Sequence, residues 1–175
     1  LNTAADQEIY RMAYDGTAWT EPVKLTNNQV KDSNGQINYI NGEAIAVWNQ
    51  NGKILYATDL LSTSPIIKTA LEQTFLQDTF TIASGGDGTL ALVGTGKSGS
   101  AQELYAVTYD KAGDVWSSEM ALTTDNALNS NPSAAFVENR LVSVYNRAQT
   151  TTAINPDDGS TYPSISDTAD LVMIE

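Results

Sequence analysis

One stretch of this 175-residue chain comes back, and its return restricts the fold more than any other feature. Gln7-Glu8-Ile9-Tyr10-Arg11-Met12-Ala13-Tyr14-Asp15 recurs as Gln102-Glu103-Leu104-Tyr105-Ala106-Val107-Thr108-Tyr109-Asp110. The residues that follow match as well. Trp19-Thr20-Glu21-Pro22-Val23-Lys24-Leu25-Thr26 lines up with Trp116-Ser117-Ser118-Glu119-Met120-Ala121-Leu122-Thr123. A weaker copy runs from Lys53 to Asp59, and Asp170 to Ile174 repeats the opening once more. The tyrosines Tyr10, Tyr56 and Tyr105 stand 46 and 49 residues apart. A period of this length marks a repeat architecture, in which each unit covers the exposed face of its neighbour.

Two further segments precede each later copy. Glu43–Asn49, Thr89–Val93 and Arg140–Asn146 occupy one place, and Gln36–Ile40, Thr79–Ala83 and Ser133–Val137 the place before it. Turn signals separate them: Asn41-Gly42, Gly86-Asp87-Gly88 and Glu138-Asn139. All are short, rich in β-branched or aromatic residues and partly alternating, as strands are. The unit reads as four antiparallel strands, A to D, and the chain as C-D, A-B-C-D, A-B-C-D and A-B-C. Leu60 to Gln77 has room for a helical turn, and strand D is preferred there too. The expected fold is therefore all-β: a partial β-propeller of about three to three and a half four-stranded blades. Its divisions are a half blade over 1–30, blades over 31–77 and 78–127, and an incomplete blade over 128–175 with a long B-to-C insertion at 148–168. A β-sandwich would leave the matched Tyr-Asp, Trp and Leu-Thr positions unexplained.

Composition agrees with this and removes several functions. Only 17% of residues are charged, which suits short strands and polar turns better than surface helices. The net charge of −12 repels phosphate, so neither nucleic acid nor an anionic membrane is an expected partner. The chain has no cysteine and no histidine, which excludes disulfides, thiolate nucleophiles, imidazole-based triads and zinc sites of the usual kinds. No apolar run reaches the ~18 residues that span a bilayer. The chain opens on Leu1, so a processed segment is expected, with any signal peptide lying outside it.

The repeated turn Tyr14-Asp15-Gly16-Thr17-Ala18-Trp19, with its counterpart Tyr109-Asp110-Lys111-Ala112-Gly113-Asp114-Val115-Trp116, resembles a degenerate BNR or Asp-box. Asp, Gly and Trp are kept and the leading Ser is missing. Such repeats belong to the sialidase-like propellers of secreted and cell-surface proteins of bacteria and archaea. The resemblance implies structural roles: Asp15 and Asp110 cap turn amides, Gly16 and Gly113 take positive φ, and Trp19 and Trp116 pack between blades. It implies an extracellular or cell-surface location. A sialidase site would also need converging arginines, whereas Arg11, Arg140 and Arg147 sit at unlike repeat positions.

Several segments offer weaker chemistry. Asp32-Ser33-Asn34-Gly35 imitates the start of a calcium loop but lacks its later glutamate. Asn155-Pro156-Asp157-Asp158-Gly159-Ser160 gathers hard oxygen ligands, and is either a calcium site at Asp157 and Asp158 or a solvated turn. No other cofactor is implied. Gly94-Thr95-Gly96-Lys97-Ser98-Gly99 lacks the spacing of a phosphate loop and reads as a flexible hairpin. Trp48 matches Tyr145 and reads as core. Tyr162 has no structural duty, and with Asp157 and Asp158 it makes the insertion the expected binding surface. The expected function is a non-catalytic extracellular module that binds glycan or protein, the alternative being a fragment of a glycan-processing glycoside hydrolase. Its expected partners include the remaining blades of a longer chain, or a second copy in a homodimer that completes the ring.

Overall fold

A computed structural model describes residues 7–72, 80–99 and 101–174, in two compact units split at residues 74 and 75. Every regular element among the described residues is a strand, so the all-β expectation holds, and no sheet closes on itself.

The first unit begins with a short hairpin of β1 (Tyr10–Arg11) and β2 (Val23–Lys24). An antiparallel meander follows: β3 (Asp32–Ile40), β4 (Glu43–Gln50), β5 (Lys53–Ala57) and β6 (Ile67–Leu71), in that order across the sheet. Asn-Gly pairs make its two tight turns, with positive φ at Asn41, Gly42, Asn51 and Gly52. That is the conformation two-residue hairpins require. Strand β6 settles the 60–77 region as far as Glu72, and residues 73–77 lie outside the described ones. Ala46 and Trp48 share one face of β4, and Leu55 and Ala57 the facing side of β5. With Leu60 they form a core on which Ile9, Leu25 and Ala44 pack.

The second unit repeats the plan. Strands β7 (Phe80–Ser84), β8 (Thr89–Ser98) and β9 (Ala101–Asp110) form a meander, and β10 (Val115–Trp116) and β11 (Met120–Ala121) both pair with the outer edge of β9. Then come β12 (Leu128–Val137), β13 (Arg140–Ile154) and β14 (Thr161–Ile174), joined to the first group by one parallel pair, Leu128 with Gln102. Two expectations change here. Gly94–Ser98 does form a hairpin, but as paired strand: it continues β8, in register with β9 down to Ser98 opposite Ala101. Gly94 and Gly96 are buried there. The stretch 148–168 is not a loop. After a bulge between Ala148 and Thr150, β13 and β14 stay paired to Ile154 opposite Thr161, leaving only a turn at 155–160. The threonines at 150–152 favour extended backbone, which explains the extension.

The repeated Glu and Leu-Thr positions meet in a buried polar latch. In the second unit Glu103, only 3% exposed, accepts hydrogen bonds from Thr123 Oγ1 (2.5 Å), the Asn126 amide (2.9 Å) and Asn129 Nδ2 (3.1 Å). Asn129 Nδ2 also reaches Asp125 Oδ1 at 3.0 Å, and Arg147 Nε donates to Asp125 Oδ2 at 2.7 Å. The latch thereby ties β9 and the end of the β11 segment to β12 and β13. The first unit holds the counterpart. Asn28 donates its amide to Glu8 Oε1 (2.8 Å) and Nδ2 to Asp32 Oδ2 (2.9 Å), while Trp48 Nε1 (3.1 Å) and Gln50 Nε2 (2.8 Å) both donate to Asp32 Oδ1. The pairs Thr26/Thr123, Asp32/Asn129, Trp48/Tyr145 and Gln50/Arg147 are each 97 residues apart, which makes the two networks one design (123 − 26 = 129 − 32 = 145 − 48 = 147 − 50 = 97).

Stripping Glu103 would take the acceptor from the Thr123 hydroxyl and the Asn126 amide, while Asn129 would keep Asp125. Glu103→Ala should therefore lower unfolding stability by about 3 kcal/mol in urea denaturation, against about 1 kcal/mol or less for Glu138→Ala on the surface. The latch also titrates. Partial burial opposes ionisation of Asp125, but hydrogen bonds from Asn129, the Ala127 amide and Arg147 outweigh it, holding its carboxyl below the usual range. A depressed folded pKa contributes stability above the unfolded value and loses it as pH falls through the folded one. Melting temperature should thus fall on acidification below about pH 4, and less steeply in Asp125→Asn.

Candidate functional site

The two Asp-box-like turns solve one problem with different residues. Asp15 Oδ1 accepts the amides of Thr17 (2.8 Å) and Ala18 (2.9 Å), which hold its carboxyl below the usual range, while Gly16 takes φ +101°. Asp110 Oδ1 caps the Ala112 amide at 2.9 Å. In that copy, however, the left-handed residue is Asp114 (φ 50°) and not Gly113, because this turn is longer and its bend falls one residue later. Tyr14 OH donates to Gly16 O (2.9 Å), and Tyr109 OH to Asp114 Oδ1 (2.8 Å).

The tryptophans lie beside these tyrosines. Trp19 is 64% exposed, 5.6 Å from the Tyr14 ring, so it does not pack between sheets. Trp116 stacks on Tyr109 at 4.7 Å, within its own sheet. In both turns the ring contact is a cross-strand aromatic pair. Trp48, in contrast, is fully buried. Of the matched tyrosines, Tyr10 and Tyr56 each face a cross-strand lysine, Lys24 and Lys68, with the ammonium 5.7 and 5.9 Å from the ring centroid. Tyr105 pairs with Ala121.

The expected binding residues of the insertion sit at the tip of the β13–β14 hairpin. Asn155 Oδ1 accepts the Asp157 amide (3.1 Å) and Asp158 Oδ1 the Ser160 amide (2.8 Å). Ser160, through its hydroxyl and its amide, holds the Asp158 carboxyl below the usual range. Tyr162 belongs to β14, opposite Ala153, and not to a loop. Asp32, from the other calcium-like segment, is a buried latch residue on β3. Among the described residues no three acidic side chains gather where they could hold a metal ion.

A different place has the form of a binding site. In the first unit a cleft of about 430 Å³ opens between β1, the exposed face of β3, the Asn41-Gly42 turn and the segment after β5. Ile37 and Tyr39 project from alternate positions of β3, an edge strand, and are 67% and 66% exposed. Met12 and Leu61 face them across the cleft, also exposed. Arg11 lies among these apolar groups. Its Nη2 donates to Ser62 O (2.9 Å), and its buried Nε has no hydrogen-bond partner among the described residues. Glu43 Oε1 accepts the amide of Asp59, itself at φ 52°, and this shapes the far wall. Sequence reasoning placed Arg11, Ile37 and Tyr39 on strands and went no further. A signal was present, since Ile37 and Tyr39 alternate as a buried pair would, but which face is covered depends on the neighbouring strands.

No model of a known protein family matches the sequence, and no curated protein is similar to it.

The two turns predict different responses to the same substitution. Gly16→Ala places a Cβ at positive φ and should cost about 1–2 kcal/mol in thermal or urea unfolding. Gly113→Ala meets only the movable Asp110 carboxylate (3.2 Å) and the Val115 methyl (3.4 Å), and should cost about half a kcal/mol or less.

Proposed function

We propose that this chain is a non-catalytic binding module of a secreted or cell-surface protein, built as part of a β-propeller, which engages a glycan or protein ligand through the cleft of its first unit. The cleft carries the reading. Monomeric proteins seldom leave apolar side chains grouped in a concavity, and such a group around one cation is the usual form of a binding site. Tyr39 and Ile37 offer a flat surface for a sugar face or an apolar side chain, and burying one large side chain there contributes about 2 kcal/mol. The propeller part of the proposal rests on the recurring antiparallel meander, on the latches at matching positions and on the Asp-box-like turns.

The test is a glycan array run beside a display library of extracellular protein segments, with Tyr39→Ala and Leu61→Ala chains as controls. Both side chains are exposed, so their removal should leave the melting temperature within about 2 °C, while weakening a true ligand about tenfold or more. Binding that ignores both substitutions would place the ligand elsewhere. Hydrolysis of a glycoside that stops on changing one carboxylate would overturn the non-catalytic reading.

A further inference from the structure

The Leu-Thr pair that recurs in the repeat makes the same two hydrogen bonds wherever it is found. In the first unit Leu25 donates its amide to Ile9 O (2.8 Å), and Ile9 donates its own to Thr26 Oγ1 (2.9 Å). In the second, Leu122 donates to Leu104 O (2.8 Å), and Leu104 donates to Thr123 Oγ1 (2.9 Å). The carbonyl and amide of one residue are clipped by two adjacent residues, one through its backbone and one through its side chain. A strand edge is closed where the chain turns away to the next sheet.

A third strand presents the same backbone. Leu104 stands opposite Thr95, six residues into strand B counted from Thr89, and Leu171 stands opposite Asn146, six residues on from Arg140 (95 − 89 = 146 − 140 = 6). The sequence Asp170-Leu171-Val172 also repeats Glu103-Leu104-Tyr105 in kind. Yet the sheet order ends at β14: among the described residues no strand pairs with its outer edge, whereas β10 and β11 cover β9, β6 covers β5 and β2 covers β1. The open stretch reads Leu171-Val172-Met173-Ile174. It carries no charge and no proline, the devices that protect an edge; those occur earlier in the strand, at Pro163, Asp167 and Asp170.

We propose that the β14 edge at Leu171–Ile174 is a docking site for an extended antiparallel strand of this same repeat class, whose Leu-Thr pair clips the amide and carbonyl of Leu171. Main-chain pairing supplies the attachment and the threonine hydroxyl sets the register. The occupant is a strand from a further repeat and not from a second folded copy, because both Leu-Thr strands of the chain are already engaged with Ile9 and Leu104. The inference depends on the repeat and is independent of the cleft.

The experiment is a nuclear magnetic resonance titration of the ¹⁵N-labelled chain with a synthetic peptide of residues 117–126, which carries its own Leu122 and Thr123. The expected result is a saturable shift and slowed hydrogen exchange at the Leu171 and Met173 amides, with the cleft amides of Met12 and Tyr39 unmoved. A peptide carrying Thr123→Val should bind at least tenfold more weakly. Absence of a saturable response at Leu171 at millimolar peptide would overturn the proposal, as would equal binding of the valine peptide. So would light scattering that finds the chain alone dimeric with the Leu171 amide already protected, since a second copy would then hold the edge. A response at Leu171 in a chain whose Tyr39→Ala variant binds every ligand normally would separate this site from the cleft reading.

Discussion

A carboxylate held inside the protein by hydrogen bonds from neutral donors is the constraint on which the second unit turns. Glu103 is nearly inaccessible, and a polar group in such a place is costly unless donors surround it. It has them: a hydroxyl, an amide and a carboxamide, all drawn from the one stretch that runs from Thr123 to Asn129. None is available until β9 and that stretch, which leads from β11 into β12, have come together. The network therefore tells correct assembly from loose collapse, as satisfied buried polar groups can. Arg147 extends it outward through Asp125, at the partly exposed rim where an ion pair is weaker but adds register.

The first unit builds a latch at the matching positions with several members altered. Asp32 stands where Asn129 would, and it accepts from Trp48, Gln50 and Asn28 instead of donating. Its counterpart of Glu103, Glu8, keeps the bond from Asn28 but has one buried oxygen with no hydrogen-bond partner among the described residues. The exchange of an amide for a carboxylate removes one of the two donors that reach the matching oxygen of Glu103, because a carboxylate cannot supply it. The two latches thus do equal work in ordering strands and unequal work in satisfying their own atoms.

Strand positions were the most legible part. Asn-Gly turns, period-two patterning and β-branched residues act over a few neighbours, and β3, β4, β5, β12 and the first half of β13 lie where those signals put them. The long β13–β14 hairpin was less so, since polar threonines and a proline resemble a loop until pairing with a partner strand decides the matter. Trp19 and Gly113 show the limit more sharply. Both match a motif by type, yet the indole is met by the tyrosine beside it and the bend falls on Asp114. A turn's length shifts the residue that must take positive φ, and composition does not record that length.

Sequence alone determined the all-β class and the Asn-Gly hairpin turns, because these arise from local pattern. It also determined which chemistries are closed to a protein without cysteine or histidine. Tertiary structure decided what the recurring residues are for. Glu103 and Thr123 are 20 residues apart and Glu103 and Asn129 are 26 apart, so their meeting in one latch depends on strand pairing that no local window contains. Tertiary structure likewise decided that Arg11, Tyr39 and Leu61 share a cleft and that β14 ends its sheet. Cover or exposure belongs to the neighbours of a residue, and its neighbours are set only when the chain has folded.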